Sequence, residues 1–366
     1  MDQYLRNEKL IEAVKKNDCS AVIKLLEAGA DPNARFNYET TSLHNAAAYA
    51  DTRCVRLLLD HGADVNIADC RGCIPLDWAV TKGSEDVVRL LLERGADVNS
   101  IGSAGWNVLH GAVFYERPDI TKILIEAGAD MNIKSNGDET PLHIAARTKT
   151  AGCIEVLLEA GADPNIMNTN GEVPLRAAAE YSRACNIETL LKFGADPNIK
   201  DIRGDIPLHK VSNLINAEYI SRTDKKDIAV RCAELMISAG ADVNARNNEG
   251  KTPLHNAIHM DYRYVKVLME HGADPNTPDL KGDTPLHEAS RHGCTAVIKT
   301  MIRGGGDMNA INSGKQTPMN LLKTHSLFVY LKSGDSIIEL MDKVKTNRLK
   351  AEDSKAAAQT GYEFDI

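Results

Sequence analysis

The sequence predicts an all-α solenoid of helix–turn–helix units with projecting hairpin loops, capped at both ends. Three observations predict it. The segment Gly-Ala-Asp-Xaa-Asn starts at Gly29 and returns every 33 residues at Gly62, Gly95, Gly128, Gly161 and Gly194, then at Gly240 and Gly272, and as Gly-Gly-Asp at Gly305. A second motif follows each of these glycines by twelve residues and reads Thr-Pro-Leu-His in full at 140–143, 252–255 and 284–287. Between the two motifs run apolar residues at helical spacing, as in Ile154-Glu155-Val156-Leu157-Leu158. A fixed period of this size is one supersecondary unit copied many times, each copy burying its apolar face only against its neighbours.

Each piece of the unit has a physical role. Thr can cap a helix by accepting a backbone N–H. Pro at the first helical position gives up no hydrogen bond and presets φ. The Leu points into the core, and pairs such as Ala145-Ala146 let a neighbouring helix come close. A second helix follows and stops at the motif glycine, which takes a left-handed conformation at little cost. Asp163-Pro164-Asn165 and the polar stretch to Gly171 then turn the chain back. Degraded copies keep the frame: Thr41-Ser42-Leu43-His44, Ile74-Pro75-Leu76-Asp77, Asn107-Val108-Leu109-His110, Val173-Pro174-Leu175-Arg176, Ile206-Pro207-Leu208-His209 and Thr317-Pro318-Met319-Asn320. Loss of the Thr at Val173 and Ile206 is expected to cost about 0.5–2 kcal/mol each.

The ends are read as caps. Leu10 to Val14 and Ala21 to Leu26 form two helices without a preceding motif. At the far end, 336–349 carries Ile337, Ile338, Leu340, Met341 and Val344 at helical spacing and is expected to seal the last open face. The expected organisation is a capping unit over 1–33, repeats over 34–205, a repeat with an insertion over 206–245, further repeats and the C-terminal cap over 246–349, and a flexible tail over 350–366.

In these motifs the chain resembles the ankyrin repeat, in nine in-phase copies over residues 5–340. The resemblance implies an elongated, slightly curved stack, with inner helices and loop tips lining a concave face. It also implies a non-catalytic scaffold or adaptor that binds partner proteins there, through residues outside the shared motif.

Composition limits the alternatives. The 366 residues carry a net charge of −8, so the basic stripe that a phosphate backbone requires is missing and no nucleic-acid ligand is expected. No apolar run reaches about 18 residues, so no membrane span is expected. The first twenty residues lack a signal core, which points to a cytoplasmic protein, or one delivered into a host cytoplasm. Capped ends favour a monomer. The eight cysteines do not read as a disulfide framework. Cys54, Cys153 and Cys232 share a column with Ala21, Val87, Ile120 and Val297, which marks buried reduced thiols. Cys70-Xaa-Xaa-Cys73 has metal-type spacing without a second pair, so neither a metal nor a cofactor is expected.

An enzyme is not expected either. His44, His110, His143, His209, His255 and His287 are all the fourth motif residue, with an expected role in bonding turn backbone within and between units. Asp31, Asp64 and Asp97 recur with the period and serve turns. No phosphate loop, His-Glu-Xaa-Xaa-His or Gly-Xaa-Ser-Xaa-Gly occurs.

Reading the variable columns gives candidate partner contacts at Phe36, Tyr38, Tyr49, Trp78, Trp106, Phe114, Tyr115, Arg147 and Tyr181. Loop tips add Arg35, Lys134, Asp201 and Arg203, and Trp106 itself is expected at such a tip. The aromatics concentrate in the first four units, and both tryptophans of the chain are among them. Trp, Tyr and Arg dominate interface hot spots, so a groove centred on residues 41–115 is the expected binding site. The rhythm breaks once. Gly194 to Gly240 spans 46 residues, 13 more than the period, and the excess lies within 210–227. It is expected to lengthen the first helix or the inter-helix loop, and to act as a hinge or as a second contact through Lys210, Leu214, Tyr219 and Arg222.

Three further roles stay open. The scaffold could be a host-directed effector of an intracellular bacterium or virus. Some ankyrin arrays grip a nucleotide with loop aromatics and a Lys, and Trp106 fits half of that pattern. The motif Asn is also a hydroxylation acceptor in the family; Asn66 and Asn99, with Leu58 and Leu91 eight residues upstream, fit best.

Overall fold

Proline opens the first helix of most units. Pro75–Lys82, Pro141–Arg147, Pro174–Glu180 and Pro285–Arg291 begin at the motif Pro, where an absent N–H loses no helical bond. The second helices, such as Glu85–Glu93, Pro118–Glu126, Gly152–Glu159 and Thr295–Arg303, run antiparallel to them after a tight turn. These features come from a computed structural model that describes residues 2–49, 51–211, 222–324 and 337. Among the described residues there are no strands, and one isolated bridge joins Ile101 to Asn107.

The described residues divide into two compact units. The first ends at Thr169 and also takes Lys192–Ala195; the second holds Asn170–Leu191 and continues from Asp196. In the first, the motif leucines Leu43, Leu76, Leu109 and Leu142 are buried; in the second, Leu175, Leu208, Leu254 and Leu286 are. Burying each of these side chains stabilises its unit by about 1.5–3 kcal/mol. Cys54, Cys153 and Cys232 are buried with Val87, Ile120 and Val297, as their column predicts.

Two polar ladders run between successive copies. The motif Asn sends its amide N–H to the next motif glycine's carbonyl, from Asn33, Asn66, Asn99 and Asn165 in the first unit and from Asn198, Asn244 and Asn276 in the second, at 2.9–3.2 Å. Asn33, Asn66 and Asn99 each accept the next motif aspartate's N–H through Oδ1, as do Asn198, Asn244 and Asn276, at 2.7–2.9 Å. The motif aspartates bond locally: Asp31, Asp64 and Asp97 each accept the N–H two residues on. The histidines form the second ladder. Nδ1 accepts the N–H of the residue three before it, at 3.0–3.3 Å, in His44, His110, His143, His209, His255 and His287. Nε2 of His44, His110, His209, His255 and His287 donates to a carbonyl of the next loop at 3.0–3.1 Å. A carbonyl can only accept, so His44, His209, His255 and His287 carry their proton on Nε2.

The loops are hairpin-like, closed by one bond from residue i to i+4, as from Asp69 to Cys73 and from Gly102 to Trp106. Ten residues after the motif glycine the backbone has φ of 57–77°. Gly72, Gly105, Gly171, Gly204, Gly250 and Gly282 hold that column, but Glu39, Asp138 and Lys315 sit there too.

Three expectations need correcting. The 13 extra residues do not lengthen the first helix, which shrinks to the single turn Pro207–Lys210. The second helix takes up part of them: Arg222–Ser238 has 17 residues, against nine in Glu85–Glu93, while 212–221, where a longer inter-helix loop would lie, are outside the described residues. The missing Thr at Ile206 is offset, because His209 Nδ1 still accepts the Ile206 N–H and so supplies half of a capping box. Asp201 is not a loop-tip contact: it is buried and accepts the N–H groups of Arg203 and Asp205. The first helix is longer than its apolar stretch, Gln3–Lys15, and buries Leu10, Ile11, Ala13 and Val14. Of the expected C-terminal cap, Ile337 is buried and the rest lies outside the described residues, as does the tail.

Candidate partner-binding groove

In the first unit, the loop at 69–73, the helix Pro75–Lys82, the loop at 102–106 and the helix Val108–Phe114 enclose a groove of about 580 Å³. Trp78, Trp106, Phe114 and Tyr115 line it, with Arg71, Asp77 and Lys82 as its charged groups. Three of the aromatics form a chain. Trp106 meets Phe114 edge to face at 5.4 Å between centroids, and Phe114 meets Tyr115 the same way at 5.3 Å. Trp106 also stacks on His110 at 5.9 Å. Phe114 is 54% exposed and Tyr115 44%, so much of this apolar area faces water.

The groove exists because one motif residue is short. At the equivalent place in the neighbouring copies, His44 Nε2 reaches the Cys73 carbonyl and His110 Nε2 reaches that of Glu139. Asp77 replaces the histidine between them. Its carboxylate keeps the local bond, accepting the Ile74 N–H at 2.9 Å, but has no N–H to donate onward. Among the described residues the Trp106 carbonyl accepts from Gly102 alone. Gly111, the next residue along that wall, adds no side chain: a Cβ there would meet nothing nearer than Val80 at 3.8 Å. Burial pushes the Asp77 carboxyl up to about 7, the nearby Asp69 charge adds to the rise, and the Ile74 N–H opposes it. Trp78 is fixed by its indole N–H, which donates to Asp69 at 3.2 Å, and by an edge contact with His44 at 5.7 Å.

The predicted contact residues separate into those the groove gathers and those it does not. Trp78, Trp106, Phe114 and Tyr115 come together. Trp106 is a loop-base residue rather than a tip, since its carbonyl closes the turn at Gly102. Phe36 opens its own loop by donating to the Thr40 carbonyl, and Tyr38 and Tyr49 are exposed outside the groove lining. Arg147 is paired with Glu139, and Tyr181 is exposed at the end of Pro174–Glu180 in the second unit. Lys134 is tied to Asp138 and to the Met167 carbonyl.

For the second contact, Lys210 is held by Asp205 at 2.7 Å. Leu214 and Tyr219 lie outside the described residues, and of Arg222 only the helical backbone is described. Asn66 and Asn99 are exposed, with both ends of each amide engaged in the inter-copy ladder. Sequence reading missed Asp77 and Gly111 as makers of the groove. The signal was available: Asp in a column of histidines, and Gly in a column that elsewhere holds Asn45, Trp78 and Ile144.

A stack of helix–turn–helix units joined by Asn and His ladders defines a repeat scaffold, and the family comparison agrees. The model described as ankyrin repeats matches in three copies, at residues 10–101, 103–201 and 225–312. The chain belongs to the ankyrin-repeat family, whose members are generally protein-interaction modules and typically non-catalytic scaffolds. No curated protein matches the chain. Among the described residues, no helix is long and apolar enough to cross a membrane.

Proposed function

We propose that this protein is a non-catalytic scaffold that captures a partner protein in the groove of its first unit, taking an apolar or aromatic side chain of the partner between Trp78, Trp106, Phe114 and Tyr115. One observation carries this reading: both tryptophans and two further aromatics, none of them a motif residue, converge on one groove in which Phe114 and Tyr115 are exposed. Aromatic side chains bury much area at low entropy cost, which is why they anchor interfaces. Asp77 and the missing histidine bridge leave room at this junction for an inserted group.

The test is affinity capture from eukaryotic lysate with wild type and the Trp78→Ala/Trp106→Ala/Tyr115→Ala variant, the fold of both checked by circular dichroism. The captured protein is then purified and its affinity for each chain measured. A partner lost by the folded variant supports the reading. An unchanged affinity removes the groove as the site. Nucleotide binding that shifts the melting temperature of wild type but not of the variant, with no protein partner displaced, would favour small-ligand sensing instead.

A further inference from the structure

At the start of the first unit four donors meet that the repeat pattern does not require. Cys19 opens the helix Cys19–Glu27, and Asn17 precedes it with φ of 57°. Asp51 caps the helix Thr52–Asp60, and Cys54 lies in its first turn. The two helix starts come together across the junction between successive copies. Cys19 Sγ is 3.0 Å from Cys54 Sγ and 3.5 Å from Asp51 Oδ2, and Cys54 Sγ is 3.7 Å from Asn17 Oδ1. The other carboxylate oxygen of Asp51 is occupied by the Arg53 N–H at 3.0 Å, which turns Oδ2 toward the sulfurs.

We propose that Cys19, Cys54 and Asp51, with the Asn17 carbonyl or a water as fourth ligand, form a site for one borderline-soft divalent cation of the zinc type. The ligand atoms of Cys19, Asp51 and Cys54 all lie within 4.8 Å of one another, close enough to share one ion. With Zn–S near 2.3 Å and Zn–O near 2.0 Å, a tetrahedral site has S···O edges of about 3.5 Å and an S···S edge of about 3.8 Å. The Cys19–Asp51 edge already has the first length, and Cys54–Asn17 is within a few tenths of it. The sulfurs, at 3.0 Å, must separate. Two thiolates select zinc-like ions over calcium or magnesium, which take oxygen ligands. As the cation enters, both thiol protons leave to solvent, and the two thiolates and one carboxylate overbalance its charge by one. Cys54 is buried while Cys19 and Asp51 are partly exposed, which gives an entry path from the Asn17 side.

The position suggests the purpose. Each copy of a repeat array is held by its contacts with its neighbours. A cation held by ligands from two successive copies would tie that junction together, as structural zinc does in small domains.

The experiment uses the full reduced chain carrying Cys70→Ser and Cys73→Ser, which removes the other thiol pair. Zinc uptake is read by native mass spectrometry, cobalt(II) uptake by its tetrahedral thiolate absorption, and stability by thermal unfolding. The expected result is one cation per chain, a raised melting temperature, and a cobalt spectrum with thiolate bands. Cys19→Ser and Cys54→Ser should each abolish uptake. Asp51→Asn keeps an oxygen that can cap the helix, so it should spare the metal-free fold while weakening uptake about 10- to 100-fold. Cys19→Ser, at a partly exposed position, serves as the control if Cys54→Ser fails to fold. No uptake by the reduced chain, or uptake indifferent to Cys19→Ser, overturns the site. So does a chain that ignores the cation and, under oxidised glutathione, loses two hydrogens to join Cys19 and Cys54.

Discussion

Asp77 accepts the backbone N–H of Ile74 at 2.9 Å, the same local bond that His44 makes with Thr41 at 3.1 Å, yet it passes nothing on to the next copy. One shortened side chain thus keeps its own helix start and opens the junction beside Trp106. Restoring the imidazole with Asp77→His should close that junction. The Nε2–H would donate to the Trp106 carbonyl, a bond worth about 1 kcal/mol, and the ring would fill the groove floor. We expect a higher urea midpoint together with weakened partner capture. A stabilised variant that binds as wild type would separate the groove from the binding site.

Trp106→Ala and Tyr115→Ala should each weaken partner binding by about 1–3 kcal/mol, as anchor residues do. Arg147→Ala, at a residue already paired with Glu139, should change it by less than about 0.5 kcal/mol. Calorimetric titration against the purified partner measures all three. Equal losses at all three positions would point to a broad surface in place of a groove.

Acid should loosen the histidine ladder. Burial lowers His44, His209 and His255 below the ordinary value and takes His110 down to about 4. The unfolded chain binds these protons near pH 6.5 and the folded chain resists them. Their stabilising effect is therefore full above about 6.5 and lost as pH falls toward 4, by roughly 3 kcal/mol for His110. Asp77 acts with the opposite sign, since its folded value lies above its unfolded one. Its contribution is full below about 4 and disappears as pH rises through 7. Urea unfolding between pH 4.5 and 7.5 should show stability rising with pH, and rising more steeply in Asp77→Asn. A flat profile in that variant would mean the ladder does not resist protonation.

Lys315 occupies the left-handed loop column at φ of 57°, where six other copies have glycine. That conformation costs a residue with a Cβ about 1–2 kcal/mol. Lys315→Gly should recover part of it and raise the midpoint of thermal unfolding. A lowered midpoint would mean that the extra backbone entropy of glycine in the unfolded chain outweighs the relief.

The repeat motifs read well from the sequence because each carries local chemistry. Pro75 and Pro141 start their helices, the Asp-Xaa-Asn segments turn the chain, and the histidines take the role their column assigns. The aromatic excess in the early copies includes the four aromatics that line the groove. Tyr38, Tyr49 and Arg147 were grouped with them because a variable column records exposure and not direction. Nothing local in the insertion said that the second helix of the copy, Arg222–Ser238, would be among the elements to lengthen.

By itself, then, the sequence determined the unit, its phase, its leucine core and its histidine ladder, since each of these rests on contacts that recur at one fixed spacing. Only the tertiary structure decided where those contacts fail or gain an extra member. Whether Asp77 is too short to reach Trp106, and whether Cys19 meets Cys54 across 35 residues, depends on side-chain lengths and helix directions at a single junction. A period averages over all junctions, so it cannot carry what distinguishes one of them.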